Sequence, residues 1–146
     1  MRTRTCLSAR RRHSLALDWD HLFTLLPGGY DVKGTAAEGE YFDDEAAERG
    51  VKFFELFLTH VKGELAGEPF LLEDWQKAIN GCIYGWKRAD GTRRFREAYV
   101  LVPRKNGKST YAAGFALSGL TIDHEQGAEV YSIAADRMQA ALVFDQ

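Results

Sequence analysis

Cysteine is scarce in this chain: there are two in 146 residues, Cys6 and Cys82, far apart and without a metal-ligand spacing. That argues against a disulfide-stapled scaffold and points to free thiols in a reducing compartment. Histidine is also sparse. His13, His21, His60 and His124 are scattered, and no His/Cys/carboxylate cluster has metal spacing. No apolar run approaches the ~18 residues needed to span a bilayer. The arginine-rich start lacks a continuous apolar stretch after it, which argues against a secretory signal. A cytoplasmic protein with no membrane partner is expected. The net charge of −2 gives no global field toward nucleic acid or lipid. Ser14, Ser118 and Ser132 lack the setting of a hydrolase nucleophile elbow. No internal repeat or low-complexity tract is visible.

What is present is ordinary in bulk and uneven in detail. The apolar fraction of 45% and charged fraction of 27% suit a globular domain, or part of one. Residues 1–17 carry five arginines and no acid. Residues 38–48 carry six acids and no base. Residues 87–108 carry eight bases against Asp90 and Glu97. This last block surrounds the most informative stretch, Val102-Pro103-Arg104-Lys105-Asn106-Gly107-Lys108-Ser109.

That stretch reads as a phosphate-binding loop of the Walker A kind. The apolar run Ala98–Val102 precedes it and a helix-compatible run, Thr110 to Leu120, follows. Strand, tight loop, Gly-Lys-Ser and helix is the layout that gathers backbone N–H groups around a triphosphate. Lys108 then reaches the β- and γ-phosphates, and the Ser109 hydroxyl takes a place on Mg²⁺. The full pattern wants a glycine where Val102 stands. A lysine at a helix start opposes the helix dipole, and a bound anion reverses the sign, an effect of about 0.3–1 kcal/mol. Arg104 and Lys105 add positive charge that suits phosphoryl transfer, and a solvated basic turn accounts for them equally well.

Around the loop, periodicity and punctuation predict an α/β chain. Asp18 to Leu26 is a short amphipathic segment broken at Pro27-Gly28-Gly29. Asp43 starts a helix, with Asp44, Glu45 and Glu48 at its positive end. Ala47, Val51, Phe54, Leu58 and Val61 share its apolar face, and Lys62-Gly63 end it. Phe53, Phe54 and Phe57 are expected in the core. Gly50 costs this helix about 1 kcal/mol relative to alanine. A second helix runs from Glu73 to Tyr84, with Leu72, Trp75, Ile79 and Ile83 inward. There Gln76 is expected as an exposed residue. Ala89-Asp90-Gly91-Thr92 is a hairpin turn. Arg96–Val102 and Ala128–Ala134 read as parallel strands, joined by a helix that buries Ala112, Ala113, Phe115, Ala116 and Leu120. Asp136 opens another helix. No apolar strand ending in paired acids follows the loop.

The order and spacing of several segments resemble one family. They are Tyr41-Phe42-Asp43, Pro69-Phe70-Leu71-Leu72-Glu73-Asp74-Trp75-Gln76, Asp90-Gly91-Thr92-Arg93-Arg94-Phe95-Arg96, Pro103–Ser109 and Ala128–Ala135. Over roughly residues 40–146 the chain resembles the N-terminal part of the ATPase domain of the large terminase subunit of tailed phages. The fold implied is an incomplete P-loop NTPase, a parallel sheet flanked by helices, preceded by a helical segment and a β-hairpin. Residues 1–40 form a poorly ordered or weakly helical lead. Residues 41–146 form the front of the ATPase domain, cut before its acidic Mg²⁺/water site. The resemblance implies a variant loop without the first glycine, which accounts for Val102. It implies that Arg104 acts in cis on the γ-phosphate, that Gln76 contacts adenine, and that Pro103, Arg104, Lys105, Asn106, Gly107, Lys108, Ser109 and Thr110 bind ATP with Mg²⁺. Gln139, with Ala135 and Ala140, matches a family segment without a clear role. The intact protein is expected to couple ATP hydrolysis to packaging of double-stranded DNA. Its expected partners are the small terminase subunit, the portal and copies of itself in a ring. Arg93, Arg94 and Arg96 are candidates for DNA contact, with edge-strand charge as the competing account. The alternatives are a non-catalytic remnant or nucleic-acid-binding module, and a helicase-like ATPase.

Overall fold

A computed structural model describes residues 16–61, 63–104, 106–123 and 126–145. Its regular elements are α1 (Trp19–Phe23), β1 (Tyr41–Phe42), α2 (Asp44–Phe57), α3 (Asp74–Asn80), β2 (Trp86–Lys87), α4 (Lys108–Thr121) and α5 (Arg137–Ala141). A 3-10 turn at Pro27–Gly29 follows α1, and a π-helical turn at Gly81–Gly85 continues α3 into β2. No helix among the described residues is long and apolar enough to cross a membrane.

Helix α2 starts where its acids require. The Asp43 carboxylate accepts from the Ala46 N–H at 2.9 Å, and Asp44 and Glu45 occupy the first turn, where the dipole favours negative charge. Ala47, Val51 and Phe54 are buried, as their spacing predicts. The helix ends at Phe57, however, and not at Lys62-Gly63. The chain beyond it exchanges helical bonds for a short antiparallel arm. The Phe70 N–H donates to the Leu58 carbonyl at 2.9 Å, and the His60 N–H to the Glu68 carbonyl at 2.9 Å. The arm carries Phe70 into the core against Phe54, with ring centroids 6.2 Å apart, and leaves Phe57 and Val61 exposed. Phe57 therefore departs from the core assignment, while Phe53 and Phe54 keep it. Gly50 has a packing reason. Any Cβ there would overlap the Tyr84 ring.

The hairpin forms around Asp90-Gly91. The Arg88 N–H donates to the Thr92 carbonyl at 2.8 Å, and the Arg94 N–H to the Trp86 carbonyl at 2.9 Å. Asp90 stabilises the turn by accepting from the Thr92 N–H and hydroxyl at 2.9 and 2.7 Å. On its other edge β2 pairs antiparallel with β1, Phe42 opposite Trp86. Phe42 then meets Trp86 and Trp19 at centroid separations of 5.6 and 5.4 Å. Trp19, Leu22, Phe23 and Val32 thus share one core with α2 and β2.

The parallel sheet is not seen among the described residues, whose one sheet is the antiparallel β1–β2 pair. Residues 96–102 and 128–134 form no ladder there. Parallel strands are stable when both faces are covered. Here Tyr99, Leu101, Tyr131 and Ile133 are 91%, 82%, 76% and 92% exposed. The cover that α4 would supply is turned elsewhere. Its buried residues are Tyr111, Ala113, Gly114 and Ser118, and they meet helices: Phe54 of α2 lies against Gly114, and Tyr84 of the π turn against Ser118. Ala112 and Leu120, expected inward, face solvent.

Cys82 sits in the π turn and packs against the core. Burial pushes its thiol pKa up from 9.0 to about 12. A raised folded-state value stabilises the fold fully below pH 9, and that contribution is lost as pH rises toward about 12. The urea midpoint should therefore fall across that interval, and by less in Cys82→Ala. At pH 8 the native Cys82 thiol should resist alkylation until urea unfolds the chain.

Candidate functional site

The loop ahead of α4 ends at Gly107, which has φ 65° and ψ 14° and caps the helix. This left-handed conformation carries a Cβ penalty of about 1–2 kcal/mol for other residues. The Tyr111 N–H closes the first turn on the Gly107 carbonyl at 2.9 Å. The Asn106 amide donates to the Pro103 carbonyl at 3.4 Å, drawing the loop together. Among the described residues no side chain caps α4. By contrast Asp18, Asp43 and Asp136 cap α1, α2 and α5, and Glu73 caps α3. The first N–H groups of any helix lack an intrahelical acceptor, and at α4 no carboxylate occupies the first turn. Lys108 and Arg104 are exposed, and Ser109 and Thr110 are half-buried. A helix start that carries a lysine and no acid in its first turn suits an anion with several oxygens. Lys105 lies outside the described residues.

Gln76 is buried rather than exposed, at 4% of its surface. It belongs to a capping box. Its Oε1 accepts from the Glu73 N–H at 2.8 Å, and the Glu73 carboxylate accepts in turn from the backbone N–H of Gln76. The start of α3 is also close to the loop, because the Tyr111 hydroxyl reaches the Gln76 carbonyl at 3.0 Å. Sequence reasoning missed two members of this neighbourhood, Tyr111 and Asn80. A signal existed: Gln76 and Asn80 are four residues apart on a helix, hence on one face.

Arg93, Arg94 and Arg96, the three candidates for DNA contact, do different things. The Arg94 Nε pairs with Glu40 at 2.8 Å, both side chains being nearly buried. Its remaining nitrogens donate to the Val32 carbonyl at 2.7 Å and the Thr35 carbonyl at 2.6 Å, and its guanidinium lies 5.1 Å from the Trp86 ring centre. Arg94 is thus spent on tying residues 32–40 to the hairpin. Arg93 pairs with Asp123 and covers the Tyr84 ring. Arg96 is exposed. With Arg49, Lys87 and Arg93 it lines a cleft of about 570 Å³ that also holds Glu97 and Asp123. Burial, reinforced by the Arg93 charge, lowers the Lys87 pKa. Asp136 and Gln139 meet as cap and capped, the Asp136 carboxylate accepting from the Gln139 N–H at 3.0 Å. Among the described residues no three His, Cys, Asp or Glu side chains converge as a metal site.

The model for the family "Terminase large subunit, ATPase domain" matches residues 74–146, which take in α3, the hairpin, the loop and α4. The chain belongs to this terminase ATPase family. It is also 33% identical over 99 residues to the large subunit of terminase from Enterobacteria phage HK97. That match covers 67% of this chain and 19% of the phage protein, so the chain spans about a fifth of its relative. No solved structure matches. Within the terminase ATPase match lie Gln76, the hairpin arginines and the loop. Glu40, the half-buried partner of Arg94, lies before it.

The division of labour among the arginines has a stability signature. Arg94→Ala removes the cation of half-buried Glu40 and the donor of the Val32 and Thr35 carbonyls, and should cost about 1–3 kcal/mol. Arg96→Ala, at an exposed position, should stay within about 0.5 kcal/mol. Urea unfolding of the two variants measures the contrast.

Proposed function

We propose that this chain is the ATP-binding part of a viral DNA-packaging motor, whose intact form couples ATP hydrolysis to translocation of double-stranded DNA into a procapsid. The observation that carries the reading is the Gly107-Lys108-Ser109 start of a helix with no side-chain cap among the described residues, in a chain of the terminase ATPase family. The backbone N–H groups of residues 107–109 cradle phosphate oxygens. Lys108 holds the β- and γ-phosphates, and Arg104 meets charge that develops on the γ-phosphate. Pro103 and Asn106 hold the loop's shape, and Lys105 adds positive charge. Mg²⁺, held through the Ser109 hydroxyl, neutralises phosphate charge. Gln76 donates from its amide to a purine acceptor at the base end. In this reading residues 96–102 and 128–134 are parallel strands of the P-loop sheet, and their exposed apolar side chains are the faces that such a sheet covers.

The partners that follow are double-stranded DNA, the small terminase subunit, the portal and further copies in a ring, met in the host cytoplasm. For DNA, Lys87, Arg93 and Arg96 along the cleft are the backbone contacts we favour, with Arg94 serving the fold. A Lys87→Ala/Arg96→Ala variant should show a DNA-binding salt slope shallower by about 2. An unchanged slope would remove the cleft from the DNA path.

The nucleotide reading is tested by retention of a labelled ATP analogue and by release of phosphate. Lys108→Ala should weaken analogue binding roughly 10-fold or more, the scale of a hydrogen bond to a charged group. Retention at the wild-type level would sink the role of Lys108. Binding without turnover above this variant would favour the alternative of a non-hydrolysing nucleotide- or nucleic-acid-binding module.

A further inference from the structure

We infer that Tyr111 is a positioning residue of the nucleotide site: its hydroxyl sets the base-side helix α3 at a fixed distance from the phosphate-loop helix α4. Tyr111 lies one turn beyond Gly107 and is 3% exposed. Its hydroxyl proton is shared between the Gln76 carbonyl at 3.0 Å and Asn80 Oδ1 at 2.7 Å. The Asn80 amide nitrogen donates onward to the Gly50 carbonyl of α2 at 3.3 Å. One hydroxyl therefore sits where three helices meet, and each polar group of the chain is satisfied by the next. Burial holds the Tyr111 ionisation well above the ordinary tyrosine range, so the group remains a donor at any working pH.

The ring is fixed as firmly as the hydroxyl. Phe115, Phe54 and Trp75 lie at centroid separations of 4.8, 5.5 and 5.9 Å. Gln76 is fixed at its other end by the Glu73 capping box. Near the loop, the separation between the Gln76 amide and the first turn of α4 is thus set by Tyr111, through its hydroxyl's two acceptors on α3 and its ring contact with Trp75. A nucleotide that spans that separation benefits only if the two ends are correctly spaced, because orientation is part of binding free energy. A phosphate chain without a base engages the loop alone and is indifferent to the link. The role rests on the nucleotide reading above and adds to it the element that couples its two ends.

The test compares an ATP analogue with inorganic tripolyphosphate, each titrated into the 146-residue chain and its variants. In Tyr111→Phe, which keeps the ring, tripolyphosphate affinity should match wild type while the ATP analogue weakens roughly 3–10-fold, the scale of one hydrogen bond. Equal weakening of both ligands, or no change in either, would overturn the role. Tyr84→Phe is the control. It deletes the other buried hydroxyl link to α4, the one to Ser118, which lies two turns farther from the loop. Its ratio of affinities should equal wild type, and a shift like that of Tyr111→Phe would mark both as structural and overturn the role. Should Tyr111→Phe not fold, Asn80→Ser removes one of the hydroxyl's acceptors and reads the same ratio. A wild-type chain that binds neither ligand overturns the nucleotide reading itself, before any Tyr111 variant is made.

Discussion

The packing of one ring, Phe54, constrains most of this structure. It is fully buried in the middle of α2, and it touches an aromatic residue from every direction in which the chain returns. Phe70 reaches it from the antiparallel arm, and Tyr111 and Phe115 reach it from α4. Gly114 lets α4 approach closely enough, since a Cβ there would overlap the ring. Aromatic pairs at such separations gain about 0.5–1.5 kcal/mol beyond their buried area. The cluster therefore holds α4 against α2.

Polar groups are threaded through this apolar contact rather than placed around it. Gln76, Asn80 and Ser118 are buried, yet each has a partner: the Glu73 N–H, the Gly50 carbonyl and Tyr111, and Tyr84 respectively. A buried polar group is tolerated when satisfied and costly when orphaned. Such links allow few alternative arrangements of α2, α3 and α4. The hairpin is anchored in the same manner from the other side. Arg94 satisfies two backbone carbonyls and Glu40, and Arg93 ties to Asp123 just beyond α4.

Much of the local structure was legible in the sequence. Asp43 as a cap, the Asp90-Gly91 turn, the break at Pro27-Gly28-Gly29 and the helix after Ser109 all follow from interactions spanning two to four residues. The terminase resemblance rested on the same short segments, and the family match bears it out. Less legible were positions whose fate depends on distant partners. Leu58 looked like a helix residue because its spacing fits, but it pairs with Phe70. Gln76 looked like a surface residue because glutamine is costly to bury, but its amide oxygen accepts from the Glu73 N–H, which offsets that cost. Arg94 looked like Arg93 and Arg96, and nothing in its neighbours distinguishes it.

The sequence by itself determined where helices and turns begin, because caps, left-handed glycines and turn carboxylates act on backbone groups only a few residues away. It also determined the chemistry available ahead of α4, a glycine, a lysine and hydroxyls at a helix start. Only the tertiary structure decided which arginine is bound into the fold, where α2 stops, and that a tyrosine of α4 joins the two ends of the candidate site. Those outcomes turn on contacts across long sequence separations, such as the Arg94 bond to Val32 across 62 residues. There the outcome depends on which donor and which acceptor lose water together, and residue type does not encode that.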